Sequence, residues 1–184
     1  MTPSACERSI TMNPTDHHSP SVKAQQRQLG GKYLTFVLAE EEYGLEILKV
    51  REIIGMMDIT AVPRTPNFVK GVVNLRGKVI PVVDLRLKFG LSAAEVTEET
   101  CIIVVDVGQV EMGITVDKVS EVLDIASEDI EPPPSFGVSV DTEFILGMGK
   151  ANNKVAILLD ISRVLRNDDV ASVADAATAD AAAV

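Results

Sequence analysis

The chain has 184 residues and a formal net charge of −10, and 46% of its residues are hydrophobic. This size and composition are typical of one globular domain, or of two small ones, with a core that needs no disulfides. The negative charge argues against nucleic-acid binding, which depends on Lys and Arg side chains that neutralise phosphates. No run of 18 apolar residues is present, so we expect no membrane span.

The two ends of the chain differ in composition from its centre. Residues 1–31 are rich in proline, glycine and polar side chains, and they predict a disordered leader. Residues 167–184 are rich in alanine and aspartate, and they predict a flexible tail or a frayed helix. The leader has no apolar segment of the kind that secretory signals contain, and the chain has only two cysteines. We therefore expect a cytoplasmic protein.

Short apolar segments separated by turn residues predict a mostly β protein. The predicted strands, in chain order, cover residues 33–38, 43–47, 72–75, 79–85, 101–107, 109–117, 119–123, 144–147 and 154–159. Residues 49–55 fit either a strand or a helical turn. Residues 67–70 fit one helical turn, Ser92 and Glu95 have the spacing of a capping box, and residues 160–165 fit a short closing helix.

The apolar arms at residues 72–75 and 79–85 predict a β-hairpin around which the other strands are arranged. Gly77 supplies the turn, and Arg76 stands beside it near the apex. Pro81 has no N–H to donate, so we expect the second arm to lie at a sheet edge or to bulge at this residue.

The sequence contains an internal repeat, which predicts two similar β units. Gly44 aligns with Gly113, at an offset of 69 residues that also relates Glu52 to Glu121. An offset of 76 residues relates the second arm of the hairpin to residues 154–161. At that offset Arg76 aligns with Asn152. Because the second unit has no arginine there, the fold does not require one, and a functional role for Arg76 is indicated.

The residues between the two termini offer little for catalysis. They contain no histidine and one cysteine, Cys101, so they lack the members of a His-based triad or a zinc site. Asp84 and Asp160 follow equivalent apolar strands, and we interpret them as a repeated cap or turn acceptor. We therefore predict a protein that is not an enzyme and that has no cofactor and no metal site.

Several short motifs, in a fixed order and at a fixed spacing between residues 32 and 165, resemble the CheW family of bacterial chemotaxis coupling proteins. The motifs that carry this resemblance are Glu42-Tyr43-Gly44, Leu48-Lys49-Val50-Arg51-Glu52-Ile53, Thr65-Pro66, Lys70-Gly71, Asn74-Leu75-Arg76-Gly77, Pro81-Val82-Val83-Asp84-Leu85-Arg86 and Gly113-Ile114-Thr115-Val116-Asp117. The resemblance implies two small five-stranded SH3-like barrels packed on each other, between which strands can be exchanged. It places one CheW-like domain at residues 32–166, with repeated halves at about 32–90 and 101–165. The residues alone leave a single longer sandwich open.

The resemblance also implies a function, that of a non-enzymatic adaptor between other proteins. Such proteins couple the cytoplasmic tip of methyl-accepting chemoreceptors to the regulatory domain of the histidine kinase CheA, in arrays that reach the membrane through these partners. The implied receptor-binding residues are Val50, Glu52, Ile53, Gly71, Arg76 and Val122; the resemblance assigns no kinase-binding residues. We expect Glu52 and Arg76 to form an ion pair beside an apolar groove. The alternative is a small-barrel protein that binds nucleic acid or scaffolds other proteins.

Overall fold

A computed structural model describes residues 29–134 and 142–165. Of the predicted leader it describes residues 29–31 alone, and the predicted C-terminal tail lies outside the described residues. The strands are β1 (Gly31–Leu38), β2 (Glu41–Glu46), β3 (Val50–Gly55), β4 (Val69–Leu75), β5 (Lys78–Asp84), β6 (Cys101–Val107), β7 (Val110–Val116), β8 (Lys118–Ile125), β9 (Ile130–Glu131), β10 (Ile145–Ala151) and β11 (Lys154–Leu159). The helices are short: α1 (Leu85–Lys88), α2 (Ile161–Val164), and 3₁₀ turns at Ile47–Lys49 and Ser127–Asp129.

The strands form two sheets with the same plan. Barrel 1 has the order β8-β1-β2-β11-β10-β9, and barrel 2 has the order β3-β6-β7-β5-β4. Strand by strand, these orders correspond through the 69- and 76-residue offsets of the sequence repeat. Even the two-residue strand β9 has a counterpart, because Thr60 forms an isolated bridge with Val72 on the outer edge of β4. The mostly β fold is confirmed, and β9 gives barrel 1 a sixth strand where five were predicted.

Each barrel contains strands from both halves of the sequence. In barrel 1, β2 pairs in parallel with β11, and in barrel 2, β5 pairs in parallel with β7. The chain passes from barrel 1 to barrel 2 after β2, and it returns after β7. The sheets also curl: Gly149 on β10 lies against Ile125 on β8, although three strands separate β8 from β10.

Alternation along the strands divides the buried side chains into three clusters. A small cluster fills barrel 1, with Tyr33 and Leu158 among its members, and another fills barrel 2, with Ile80 and Val104. The third and largest cluster lies between the barrels and takes side chains from both. This arrangement explains the long apolar strands, since β6 faces the barrel 2 cluster with one side and the shared core with the other.

Most predicted elements are present, and three local predictions need correction. Residues 67–70 form the approach to β4 and its first residues, where a helical turn was predicted. No helix follows Ser92, so the spacing to Glu95 has no capping role. Pro81 lies on an interior strand without a bulge at that residue. It is tolerated because the ladder from β5 to β7 covers Val82–Asp84 alone, which leaves Pro81 with one neighbouring strand, β4.

The two aspartates that follow equivalent strands are helix caps, as predicted. The Asp84 carboxylate accepts hydrogen bonds from the backbone N–H groups of Arg86 and Leu87 at the start of α1. Asp160 does the same for Ser162 and Arg163 at the start of α2. Within residues 29–134 and 142–165, no helix is long and apolar enough to cross a bilayer.

Candidate protein-docking site

The turn between β4 and β5 holds Arg76 in an uncommon conformation. Arg76 and Gly77 have φ angles of 54° and 82°, and positive φ at both central residues is the type I′ hairpin geometry. The Asn74 side chain accepts a hydrogen bond from the Gly77 N–H at 2.9 Å and supports the turn. At the equivalent turn of barrel 1, Asn152 and Asn153 have φ angles of 49° and 61°. Asparagine adopts this conformation more readily than arginine, so Arg76 is kept there at some conformational cost.

Arg76 and Glu52 form a two-pronged ion pair. The Arg76 Nη1 and Nη2 atoms donate to Glu52 Oε1 and Oε2 at 3.0 Å and 2.8 Å, so the expected pair is present. It spans the two ends of the barrel 2 sheet, because Glu52 lies on β3 and Arg76 follows β4. An exposed pair of this kind contributes about 1 kcal/mol or less to stability. Stability alone therefore gives little reason to hold an arginine in this turn.

Two apolar side chains of the site occupy repeat-equivalent positions. Ile53 on β3 is 45% exposed and Val122 on β8 is 48% exposed, and they are 69 residues apart in sequence. Each lies on the outermost strand of its barrel, where the sheet has a neighbour on one side only. Both side chains are therefore accessible to another protein, and they lie on different barrels.

The other two predicted site residues have clear structural roles. Val50 is half-buried and packs against the core between the barrels. Gly71 has a φ angle of 137°, and a Cβ atom placed on it would lie 2.0 Å from the Thr60 carbonyl oxygen. It sits beside the bridge in which Thr60 and Val72 exchange backbone hydrogen bonds of 2.8 Å and 2.9 Å. The backbone needs glycine here whether or not a partner touches it.

The described residues show no arrangement suited to catalysis or to metal binding. Residues 29–134 and 142–165 contain no group of three or more His, Cys, Asp or Glu side chains that could hold a metal ion. Burial raises the pKa of the Cys101 thiol above its usual range, which disfavours the nucleophilic thiolate. The Asp84 and Asp160 carboxylates are used as helix caps.

Sequence reasoning missed two further ion pairs at the same end of barrel 2. Arg51 pairs with Asp106, and the Lys78 Nζ lies 2.8 Å from Glu111 Oε2. The Arg51 side chain, through its hydrogen bond to the Asp106 carboxylate, is the main cause that lowers the pKa of that carboxyl. Both pairs join neighbouring strands that are distant in sequence. Their recognition requires the strand order, which no local pattern supplies.

Two interlocked β barrels with an exposed ion pair and accessible apolar side chains define a protein suited to contacts with other proteins. A family model described as the CheW-like domain matches residues 32–169. The chain is 43% identical over 145 residues to the chemotaxis protein CheW of Klebsiella aerogenes, covering 79% of this chain and 87% of that protein. It is 36% identical over 137 residues to CheW of Helicobacter pylori, with 74% and 82% covered.

A solved structure, that of the scaffolding protein TtCheW from Thermoanaerobacter tengcongensis, superimposes with a TM-score of 0.70 at 38% identity. The match covers 77% of this chain and 96% of that one. The chain therefore belongs to the CheW family.

Proposed function

We propose that this protein is a chemotaxis adaptor that couples chemoreceptors to the histidine kinase CheA and that carries out no reaction itself. The observation that carries the proposal is the exposed Glu52–Arg76 pair, held in a turn whose geometry disfavours arginine and absent from the second barrel. Family membership supports it, since the matched relatives are named chemotaxis proteins and one is called a scaffolding protein.

In this proposal the cytoplasmic tip of a chemoreceptor docks beside the Glu52–Arg76 pair. The guanidinium of Arg76 has five N–H donors, and Glu52 takes two of them, so the group can also bind a carboxylate on the receptor. Ile53 and Val122 supply apolar contact area on the two barrels. Val50 and Gly71 act through the backbone and the core beneath this surface.

The kinase partner in this proposal is the regulatory domain of CheA. The adaptor would relay receptor control of kinase activity within a cytoplasmic array that is associated with the membrane through its receptors. No residue of the described chain is assigned to the kinase contact.

The central test uses Arg76→Asn, which copies the residue that the repeat places in the equivalent turn. We expect the affinity for a purified chemoreceptor cytoplasmic fragment to fall at least tenfold, about 1.4 kcal/mol, because the docking guanidinium is lost. The thermal midpoint should stay within about 4 °C, since the exposed pair contributes little to stability. Affinity is measured by isothermal titration calorimetry, and CheA autophosphorylation is followed in the ternary mixture.

Glu52→Gln is the companion variant, because it removes the charge but keeps the side-chain shape. It should weaken receptor binding less than Arg76→Asn does. Unchanged binding in both variants would exclude the pair from the docking site. A fall in the thermal midpoint as large as that of a core substitution would make the pair structural.

A further inference from the structure

Three ion pairs form a ring around one mouth of barrel 2. Arg51–Asp106 joins β3 to β6, Lys78–Glu111 joins β5 to β7, and Arg76–Glu52 joins the β4–β5 turn back to β3. All five strands of the barrel take part. The ring lies at one end of the barrel because β5 and β7 run in parallel, so that their first residues share that end with the two hairpin turns.

In each of the three pairs, the cation lies outside and the anion lies beneath it. The side chains of Arg51, Arg76 and Lys78 are between 57% and 76% exposed. Those of Glu52, Asp106 and Glu111 are between 28% and 30% exposed. The mouth of the barrel therefore presents positive charge outward, on a protein whose formal net charge is −10.

The alternation of the strands explains this order. Glu52 and Asp106 fall on the same strand faces as Ile54 and Val104, which pack within barrel 2. Their short side chains stay close to the barrel, whereas the longer cationic side chains lie over them and extend to water. A β-bulge between Val50 and Glu52 lets Arg51 join the ring, because it gives β3 one extra residue at this point.

The repeat shows that the fold does not require this ring. At the equivalent mouth of barrel 1, Lys154 and Glu42 take the places of Lys78 and Glu111 and lie 3.7 Å apart. However, Ser120 stands in place of Arg51, and Asn152 in place of Arg76. The additional positive charge at barrel 2 is thus an addition to a plan that folds without it.

We propose that Arg51 and Lys78 extend the docking surface around Arg76, and that the protein face which docks there carries carboxylate side chains. This inference rests on the proposed function and names the chemistry of its receptor partner. Charge complementarity supports it, and so does continuity, because Arg76 belongs both to the ring and to the proposed receptor site. Val79 and Val110, which are exposed beside Lys78 and Glu111, add apolar area to the same surface.

The partner can bind without breaking the internal pairs. The ammonium group of Lys78 has three N–H donors, and the guanidinium of Arg51 has five, so each retains donors after its contact with Glu111 or Asp106. Each anion beneath holds its cation in place at the barrel mouth, which lowers the entropy lost when a partner carboxylate binds.

The test measures the affinity of a purified chemoreceptor cytoplasmic fragment for the full chain at 50 mM and 300 mM salt. Lys78→Glu and Arg51→Glu should each weaken binding at least tenfold at low salt and reduce its salt dependence. Lys154→Glu is the matched control, since it makes the same charge change in the equivalent pair of the other barrel. It should change the affinity less than twofold. Lys78→Gln, a milder change, guards against misfolding in the charge reversals.

The outcomes separate this inference from the proposed function. If the wild-type chain does not bind the fragment, the proposed function fails. If the wild type binds, Arg76→Asn weakens binding, and the Lys78 and Arg51 variants bind like the wild type, the extended surface is wrong and the proposed function stands. An equal loss in Lys154→Glu would reduce the effect to net charge and overturn the inference. So would a salt-sensitive self-association that sedimentation velocity shows to depend on Lys78, because the occupant would then be a second copy.

Discussion

Gly71 shows how a residue in a docking region can be required by the backbone alone. Its positive φ and the nearby Thr60 carbonyl leave no room for a side chain. Gly147, its repeat equivalent, is just as close to a backbone carbonyl, since a Cβ atom there would lie 2.7 Å from the Glu131 oxygen. The glycine is therefore part of the barrel plan, and a variant at this position changes folding before it changes binding.

Gly71→Ala should lower the free energy of unfolding by about 2–4 kcal/mol, because the added methyl group forces the Thr60–Val72 bridge apart. Urea denaturation measures this loss. Gly55→Ala is the control, since no atom lies within 4 Å of its Cβ position. It should change stability by no more than about 0.5 kcal/mol. Equal effects in the two variants would contradict the close contact at Gly71.

Tyr33 should make stability depend on pH in the alkaline range. Burial, together with the nearby Glu46 charge, raises the pKa of Tyr33 to about 12 from its ordinary 10.0. Because the folded pKa is above the unfolded one, this contribution is complete below pH 10 and is lost as the pH rises from 10 to about 12.

Tyr33→Phe tests this dependence, because phenylalanine has no proton to lose. The difference in unfolding free energy between the wild type and Tyr33→Phe should be constant below pH 10. Above that pH it should shift in favour of the variant. Denaturant titrations of both proteins across this range measure the difference, and a constant difference up to pH 12 would show that the phenol titrates normally.

At the scale of single elements, the repeat is preserved in chemistry as well as in position. Both short helices follow the last strand of an equivalent hairpin, and both start at an aspartate cap. The strongest local signals in the sequence, apolar β-branched arms and turn glycines, predicted the hairpin of β4 and β5 correctly. Ser92 and Glu95 gave a false capping signal, because no apolar segment follows to stabilise a helix.

Asp84→Ala and Asp160→Ala should each cost about 1 kcal/mol of unfolding free energy, since each leaves two backbone N–H groups without their carboxylate. Asparagine caps almost as well as aspartate, so Asp160→Asn should restore most of the stability. Thermal denaturation followed by circular dichroism compares the variants. If the asparagine variant were as unstable as the alanine variant, charge and not capping would be the cause.

At the scale of the whole molecule, the two barrels are interlocked. β1 and β2 complete barrel 1 with four strands from the second half of the chain, and β6 and β7 complete barrel 2 with three from the first half. The halves that the sequence repeat defines are therefore not the barrels of the structure. Each half contributes to both barrels and to the core between them.

The full chain should unfold in one cooperative transition, with urea curves from circular dichroism and tyrosine fluorescence that coincide. Separate fragments of residues 29–100 and 101–165 should show no cooperative transition, since each lacks the strands that its sheets need. Mixing them in equal amounts should restore β structure. A fragment that unfolds cooperatively by itself would contradict the requirement for exchange.

The site was predictable from sequence only in part. Glu52 and Arg76 were expected to meet, and they do, with hydrogen bonds of 3.0 Å and 2.8 Å. Lys78–Glu111 and Arg51–Asp106 were not expected, because each pair depends on which strands lie side by side. Residue type alone also left open that Val50 packs against the core while Ile53 is accessible.

By itself, the sequence determined the strands, the tight turns and the repeat, because these depend on residues that are close along the chain and on their own conformational preferences. The tertiary structure decided the exchange of strands between barrels, the parallel pairings of β2 with β11 and of β5 with β7, and the ring of charge around Arg76. These features join residues distant in sequence. Each apolar strand has many possible partners, and only burial of all of them together in one shared core selects among these partners.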